Sequence, residues 1–168
     1  EAALDRFDEL APASPLALFT VGKHLSDARQ YRPSEIMLRG AIQRQPNWPP
    51  PRVELGLMLM QAGEEEKARA ELLHAVELDP FNRRAANQLK LVEELLGYEQ
   101  IRTQYFIIQF RQGVDEVLAR DMAQQLDAMA AQITGIFEHQ PRRQTKIQIM
   151  PDEQWFGVRI TGIPEIWT

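Results

Sequence analysis

The sequence predicts a mainly α-helical protein, with helical hairpins in its first part and a small α+β segment of strand, helix and strand after them. Two observations lead to this prediction. The first is an internal repeat: residues 49–82 repeat the pattern of residues 15–48, and apolar residues recur at helical spacing in both. The second is the aromatic and β-branched run YFIIQF, which is typical of a strand. We place the boundary after Tyr98, which divides the chain into residues 1–98 and 99–168.

The composition is that of a globular protein and excludes several classes. The chain has 168 residues, a formal net charge of −5 and 44% hydrophobic residues. No run approaches the ~18 apolar residues of a membrane span, so we expect none. Neither part is basic, so we expect no nucleic-acid-binding surface. Because cysteine is absent, disulfides, thiol catalysis and thiolate metal sites are excluded. The compartment stays undetermined. A start at Glu1 rather than Met suggests a processed, trimmed or cloned piece, and we expect the N-terminal portion of a larger protein.

The two copies of the repeat align without a gap, from Pro15 on Pro49 to the end of each segment. Helix packing dictates small, apolar or helix-breaking residues at particular positions, and the identities fall at such positions. They are Pro15/Pro49, Gly22/Gly56, Leu25/Leu59, Leu38/Leu72, Ala41/Ala75 and Pro46/Pro80.

Each of these segments predicts a pair of helices. In the second segment the first helix ends at Gly63, because glycine tolerates the positive φ of a helix end. The second helix covers residues 67–78 and stops before Pro80, since the residue preceding a proline avoids the helical region. A further single helix runs from Arg83 to about Leu96. We expect its inward side chains to be Ala86, Leu89, Val92 and Leu96.

Residues 15–97 resemble the tetratricopeptide repeat family, in two and a half units. The first unit departs from the family at Arg29, where glycine is usual, and at Ser34, where alanine is usual. An unrelated helical bundle is the alternative. The residues that carry the resemblance are Val21, Gly22, Leu25, Tyr31, Leu38, Ala41 and Pro46, then Leu55, Gly56, Leu59, Gly63, Ala68, Leu72, Ala75 and Pro80.

The resemblance implies a scaffold that binds a protein or peptide on a concave face lined by the first helix of each unit. The set of groove positions is mostly apolar, and only Lys23 and Asn87 suit the clamp that some members use for C-terminal carboxylates. Either a partner segment or the chain's own second part would cover this face, and self-association stays open. The family's groove positions correspond to Phe19, Lys23, Val53, Leu57, Met60, Asn87, Leu91 and Glu94.

The second part predicts a strand over residues 105–110, a long helix capped by Asp115, and a second strand over residues 145–150. A short helix over residues 153–156 follows, and residues 159–164 are expected to form a loop or the approach to a further strand. A sheet of two strands is only marginally stable by itself. We therefore expect this part to pack on the repeat helices or to include further strands. The apolar stripe of the long helix is Leu118, Met122, Leu126, Met129, Ile133, Ile136 and Phe137.

Residues 99–168 resemble the opening of a gluzincin-type metallopeptidase domain, a kind found behind such repeats in bacterial proteins. The resemblance is carried by the predicted strand at Tyr105–Phe110, the long helix and the predicted strand at Lys146–Met150. Pro151-Asp152, Phe156, Arg159 and the run from Thr161 to Pro164 follow in the same order as in that family. The resemblance implies a zinc site of the His-Glu-x-x-His type in the parent protein, beyond residue 168.

The histidines of this chain do not supply such a site. None of His24, His74 and His139 is followed by Glu and by a second His four residues on. We therefore expect no cofactor and no catalytic residue here, and a non-catalytic protein- or peptide-binding module. The alternative is the N-terminal part of a zinc-dependent metallopeptidase.

Overall fold

The computed structural model of the protein describes residues 2–141 and 143–164. The chain forms two compact units, Glu1–Glu93 and Glu94–Thr168. The division lies a few residues before the boundary expected after Tyr98. We describe the two units separately as the N-terminal unit and the C-terminal unit.

Consecutive helices make up the N-terminal unit. α2 packs on α3 and α4 packs on α5, and α3 also packs against α4. α5 and α6 begin one repeat length after α3 and α4, so the predicted repetition of packed helix pairs is confirmed. The first helix was not predicted. The bounds are α1 (Ala2–Leu10), α2 (Leu16–Asp27), α3 (Tyr31–Arg44), α4 (Pro49–Gln61), α5 (Glu65–Leu78) and α6 (Arg83–Leu96).

A glycine lies at the closest approach of the two helices in each pair. A Cβ atom added to Gly22 would lie 2.8 Å from Cγ of Leu38, and one added to Gly56 would lie 2.6 Å from Cγ of Leu72. Real Cβ atoms do not approach side-chain carbons so closely, so both positions require glycine. The two contacts are the same contact in successive copies of the repeat.

Ser34 stands where a small apolar residue is expected, and its hydroxyl has a hydrogen-bond partner. Its side chain is fully buried, and its Oγ donates a 2.8 Å hydrogen bond to the backbone oxygen of Gly22 on the facing helix. A buried hydroxyl without a partner would destabilise the fold. The serine therefore adds a hydrogen bond between the two helices of the first pair, next to their glycine contact.

The turn that ends the first helix of each pair is also repeated. Gln30 N–H bonds to Leu25 O and Arg29 N–H to Ser26 O, and the same pattern recurs in the second pair around Gly63. This is the Schellman motif, which needs a left-handed residue. Arg29 has φ 58° and Gly63 has φ 78°. Arginine thus takes a conformation that its Cβ disfavours.

The second half of α4 is buried on all sides, as expected of a helix segment that is apolar all round. Every residue from Leu55 to Met60 is buried. α6 differs from the prediction, because Ala86, Leu89 and Leu96 are only half-buried. Its buried face is displaced by one position at each of these places and consists of Ala85, Gln88, Leu91, Val92 and Leu95.

The C-terminal unit contains β1 (Glu99–Arg102), β2 (Phe106–Phe110), α7 (Val114–Phe137), β3 (Thr145–Gln148) and α8 (Glu153–Thr161). The strand order is β1-β2-β3, with β1 antiparallel and β3 parallel to β2. The strand–helix–strand prediction is confirmed, and α7 is the crossover that the parallel pair requires. Together the units form the mainly helical protein with a small α+β part that was predicted.

Three details of the second part differ from the prediction. β1 was missed. α7 begins after Gly113, which has φ 124°, so Asp115 lies in the first turn instead of capping the helix. α8 continues through Arg159 to Thr161 and ends at the left-handed Gly162, so residues 159–161 are helical and not a loop. Asp152 caps α8 by accepting a 2.9 Å hydrogen bond from Trp155 N.

The two faces of the sheet differ in chemistry. On one face Ile101, Ile108 and Ile147 are cross-strand neighbours and pack with Ala119 and Leu126 of α7 in a single core. On the other face a row of amides follows the same register. There Gln148 Nε2 donates to Gln109 Oε1 at 2.9 Å, and Arg159 Nε donates to Gln148 Oε1 at 3.2 Å.

Asp127 of α7 holds the β1–β2 turn. Its carboxylate accepts hydrogen bonds from Thr103 Oγ1 at 2.6 Å, Gln104 N at 2.9 Å and Tyr105 N at 3.2 Å. The Thr103 hydroxyl, followed by the two backbone amides, holds the pKa of this carboxyl below its ordinary value, although desolvation opposes the shift. One helix side chain therefore satisfies three donors of the turn.

We expect Arg29→Gly to stabilise the protein and Gly63→Ala to destabilise it. A left-handed residue with a Cβ costs ~1–2 kcal/mol, and glycine's extra entropy in the unfolded chain offsets ~0.5–1 kcal/mol of the gain at position 29. The net gain for Arg29→Gly is therefore ~0.5–1 kcal/mol, measured by urea denaturation. The two turns would not be equivalent if both variants changed stability in the same direction.

We expect Asp127→Asn to lower stability near neutral pH and to have little effect in acid. Because the pKa is depressed in the folded state, the carboxylate stabilises the fold above its unfolded pKa of about 3.9. That stabilisation is lost as the pH falls through the folded value. Urea denaturation from about pH 7 down to pH 2.5 tests this, with Asp121→Asn, exposed on the same helix, as the control. An Asp127→Asn effect that did not change with pH would contradict the role of the charge.

Candidate binding site on the first helices of the N-terminal unit

A row of three charged side chains links α2, α4 and α6. Glu54 of α4 forms two ion pairs through the same oxygen atom. Its Oε1 lies 3.5 Å from Lys23 Nζ and 3.2 Å from Arg84 Nη1. The Glu54 side chain is only 14% exposed, whereas Lys23 and Arg84 are 42% and 48% exposed. Two cations thus share one carboxylate and keep much of their surface in water. We call these three residues the charged row.

An aromatic pair lies one helical turn from the charged row. The rings of Phe19 and Trp48 meet edge to face with centroids 5.0 Å apart, and both residues are half-buried. Phe19 precedes Lys23 by four residues on α2, so the two side chains share a helix face. The site therefore combines partly exposed aromatic surface with partly exposed positive charge.

The proline run after Trp48 explains how this tryptophan is placed. Trp48 has φ −95° and ψ 109°, the extended conformation that a following proline favours. α4 begins at Pro49, where a missing N–H is tolerated. The stiff entry into α4 therefore holds the indole beside α2.

The apolar groove residues expected from the sequence are mostly buried. Leu57 is 8% exposed and Met60 is 2% exposed, and Val53 and Leu91 are buried as well. Val53 and Leu57 pack in one cluster with Ala75 and Ala85. The chain's own residues, and not a partner segment, therefore cover these positions.

The other expected groove residues remain partly accessible. Phe19 and Lys23 belong to the site described above. Asn87 is half-buried on α6, one turn after Arg84 and on the same helix face. Glu94 belongs to the C-terminal unit, where Oε1 lies 3.6 Å from Arg111 Nε.

Sequence reasoning missed Glu54, Arg84 and Trp48. The ion-pair partners lie on three different helices and are far apart in the sequence, so no local charge pattern indicates them. The available signal was the repeat itself, because helices α2, α4 and α6 occupy equivalent positions and Glu54 precedes the expected groove residue Leu57 by one turn.

Among residues 2–141 and 143–164, no group of three or more His, Asp or Glu side chains is arranged to hold a metal ion. Over the same residues, no helix has both the length and the apolar character that crossing a bilayer requires.

No protein-family model matches the chain, and no curated protein matches its sequence.

We expect Leu57→Asp to destabilise the N-terminal unit strongly. Removing the buried leucine alone costs ~2–5 kcal/mol, and a carboxylate in its place adds a desolvation penalty. Lys23→Ala, on the exposed part of the site, should change stability by less than about 1 kcal/mol. Thermal and urea denaturation measure both. A Leu57→Asp variant as stable as the parent would show that this position is an open surface.

Proposed function

We propose that the chain is a non-catalytic, tetratricopeptide-like module that binds a peptide segment of another protein. The observation that carries the proposal is the charged row beside the aromatic pair on the first helices of three consecutive units. The repetition of helix bounds, glycine contacts and Schellman turns at one interval supports the assignment to tetratricopeptide-like repeats.

The geometry favours a peptide with an acidic group next to an apolar residue. Among the ion pairs described, Lys23 and Arg84 each pair with Glu54 alone, so two positive charges face one negative charge. An acidic group of a ligand would relieve this imbalance through charge-assisted hydrogen bonds. The apolar residue would contact the Phe19–Trp48 pair, because aromatic side chains supply contact area at low entropic cost.

The buried residues of α4 contribute to this function indirectly. Because Leu57 and Met60 are buried within the chain, they fix α4 between its neighbours and hold Glu54 in place. Binding then depends on the partly exposed residues, whose positions the packed helices determine. Preorganised side chains lose less entropy on binding.

The experiment is a selection of displayed random peptides on the immobilised chain, followed by anisotropy measurements with the enriched peptides. We expect peptides with an acidic and an apolar residue to be enriched. Lys23→Ala/Arg84→Ala should weaken their binding tenfold or more, since hydrogen bonds to charged groups contribute ~1.5–3 kcal/mol each. Lys90→Ala, an exposed lysine of the same α6, is the control and should bind normally.

A second variant, at Glu54, should change peptide affinity in the opposite direction. Glu54→Gln removes the carboxylate that competes with the ligand, so it should strengthen binding of the acidic peptides. Circular dichroism confirms that each variant folds. The proposal is wrong if no peptide is enriched, or if binding is unchanged in both Lys23→Ala/Arg84→Ala and Glu54→Gln.

A further inference from the structure

The two cations of the charged row are close enough for one group of a ligand to reach both. The ion-pair distances of 3.5 Å from Lys23 Nζ and 3.2 Å from Arg84 Nη1 run to the same atom, Oε1 of Glu54. The two nitrogens are therefore at most about 6.7 Å apart, the sum of the two distances. Two charge-assisted hydrogen bonds of about 2.7–2.9 Å, together with the spacing of two oxygens on one acidic group, cover this distance.

Both cations have donors left for such a group. An ammonium carries three N–H donors and a guanidinium five. The ion pair described for Lys23 and that for Arg84 each engage a single oxygen of Glu54. Because both cationic side chains are also partly exposed, an acidic group that approaches from solvent meets donors of both residues.

The carboxylate of Glu54 stays beside any group that binds the two cations. Its side chain is only 14% exposed, and its neighbours on α4, Val53 and Leu55, are 5% and 0% exposed. The backbone that carries the carboxylate is therefore held by packing. Its negative charge acts where protein excludes part of the solvent, and charges interact more strongly there than in bulk water.

Glu54 leaves the charged row with a net charge of +1, from two cations and one anion. The attraction of a ligand group to this charge rises in proportion to the charge of the group. The cost of removing the group from water rises with the square of its charge in the Born description, so a second negative charge adds about three times the desolvation cost of the first. The row therefore suits a group with one negative charge.

This requirement separates two kinds of acidic group that peptides carry. The side chains of Asp and Glu carry one negative charge at neutral pH, whereas phosphoserine carries about −1.5 to −2. Clusters of arginine are the usual binding sites for phosphorylated peptides. In the charged row, the additional charge of a phosphate meets the like charge of Glu54 at short range, which disfavours that ligand.

A second carboxylate contributes less to the same effect. Asp27 follows Lys23 by one turn on α2, so the two side chains share a helix face. The Asp27 side chain is 65% exposed, so water and salt screen its charge more than that of Glu54. The discrimination against a doubly charged group therefore depends mainly on Glu54.

We propose that Glu54 is a specificity-determining residue, which makes the charged row select a singly charged acidic group of a peptide over a phosphorylated side chain. The inference rests on the proposed function, because it concerns the acidic group of the same peptide ligand. It assigns the charge of that group, which peptide binding by itself leaves open.

The test compares peptides of one sequence that differ only at the acidic position. The sequence is that of the most enriched peptide from the selection, and the position carries Asp, phosphoserine or cysteic acid. Cysteic acid ends in a sulfonate, which is tetrahedral like a phosphate and singly charged like a carboxylate. Binding is measured by fluorescence anisotropy at about pH 7.5, where most of the phosphate is doubly charged.

The parent chain should bind the Asp and cysteic acid peptides with similar affinity. It should bind the phosphoserine peptide about fivefold more weakly or worse, because the second charge is repelled by Glu54 and costs more desolvation. Glu54→Gln should strengthen binding of the phosphoserine peptide about fivefold more than binding of the Asp peptide, since the repulsion that it removes scales with the charge of the ligand.

Two further variants control for other effects of the substitution. Glu54→Asp keeps the negative charge and should keep the preference of the parent chain. Glu93→Gln removes the same charge from α6, and Glu93 pairs with Arg69 of α5 among the ion pairs described. It should leave the ratio of the two affinities unchanged. Circular dichroism and urea denaturation confirm that each variant folds.

The possible failures are distinguishable. If the Asp peptide does not bind the parent chain, the proposed function is wrong and the inference falls with it. If the Asp peptide binds but the phosphoserine peptide binds equally or more tightly, the inference alone is wrong. A preference that is unchanged in Glu54→Gln, or equally changed in Glu93→Gln, would overturn the role of Glu54. Weak binding of the cysteic acid peptide would show that shape decides instead of charge.

Discussion

The close approach of paired helices at a glycine is the constraint on which the N-terminal unit depends. At Gly22 and Gly56 the facing leucine occupies the space where a side chain would begin, so Leu38 and Leu72 are fully buried. A close approach also brings backbone oxygen within reach of a neighbouring helix, and Ser34 uses it to satisfy its buried hydroxyl. The same geometry recurs in the second pair because the same residue types recur at the interval of the repeat.

This constraint decides where binding chemistry can lie. Tight pairs that also stack against each other enclose α4, so its apolar side chains act as core. On the first helices Phe19, Lys23 and Arg84 keep part of their surface accessible, with Glu54 partly buried between the two cations. An apolar groove and a partly exposed charged site would suit different ligands, and the burial of α4 is the reason why the charged site is the one we propose.

The sequence predicted the elements that rest on periodic burial and missed those that rest on single contacts. The internal repeat indicated the paired helices, the aromatic and β-branched run indicated β2, and alternation indicated β3. β1 was missed because Ile101 is the only strongly apolar residue in its four, and the strand exists through its pairing with β2. The buried face of α6 was misplaced because its apolar residues fit two neighbouring helix faces.

The candidate site was predictable to a similar extent. Phe19, Lys23 and Asn87 came from the resemblance to a repeat family, which places groove positions by register. Glu54 and Arg84 were missed, since an ion pair between residues of different helices depends on how those helices stack. Register predicts which face a residue occupies, and the stacked structure decides whether that face is covered.

α4 and α7 show that one sequence signal has two structural outcomes. Both helices carry apolar residues at helical spacing, and α4 has the more concentrated set. On α4 neighbouring helices cover every apolar position from Leu55 to Met60, so substituting a charge there breaks the core. On α7 the sheet is shorter than the helix, so the stripe extends beyond its partner and a charge there would leave the fold intact. The length of an apolar stripe relative to the element beneath it therefore distinguishes core from exposed apolar surface.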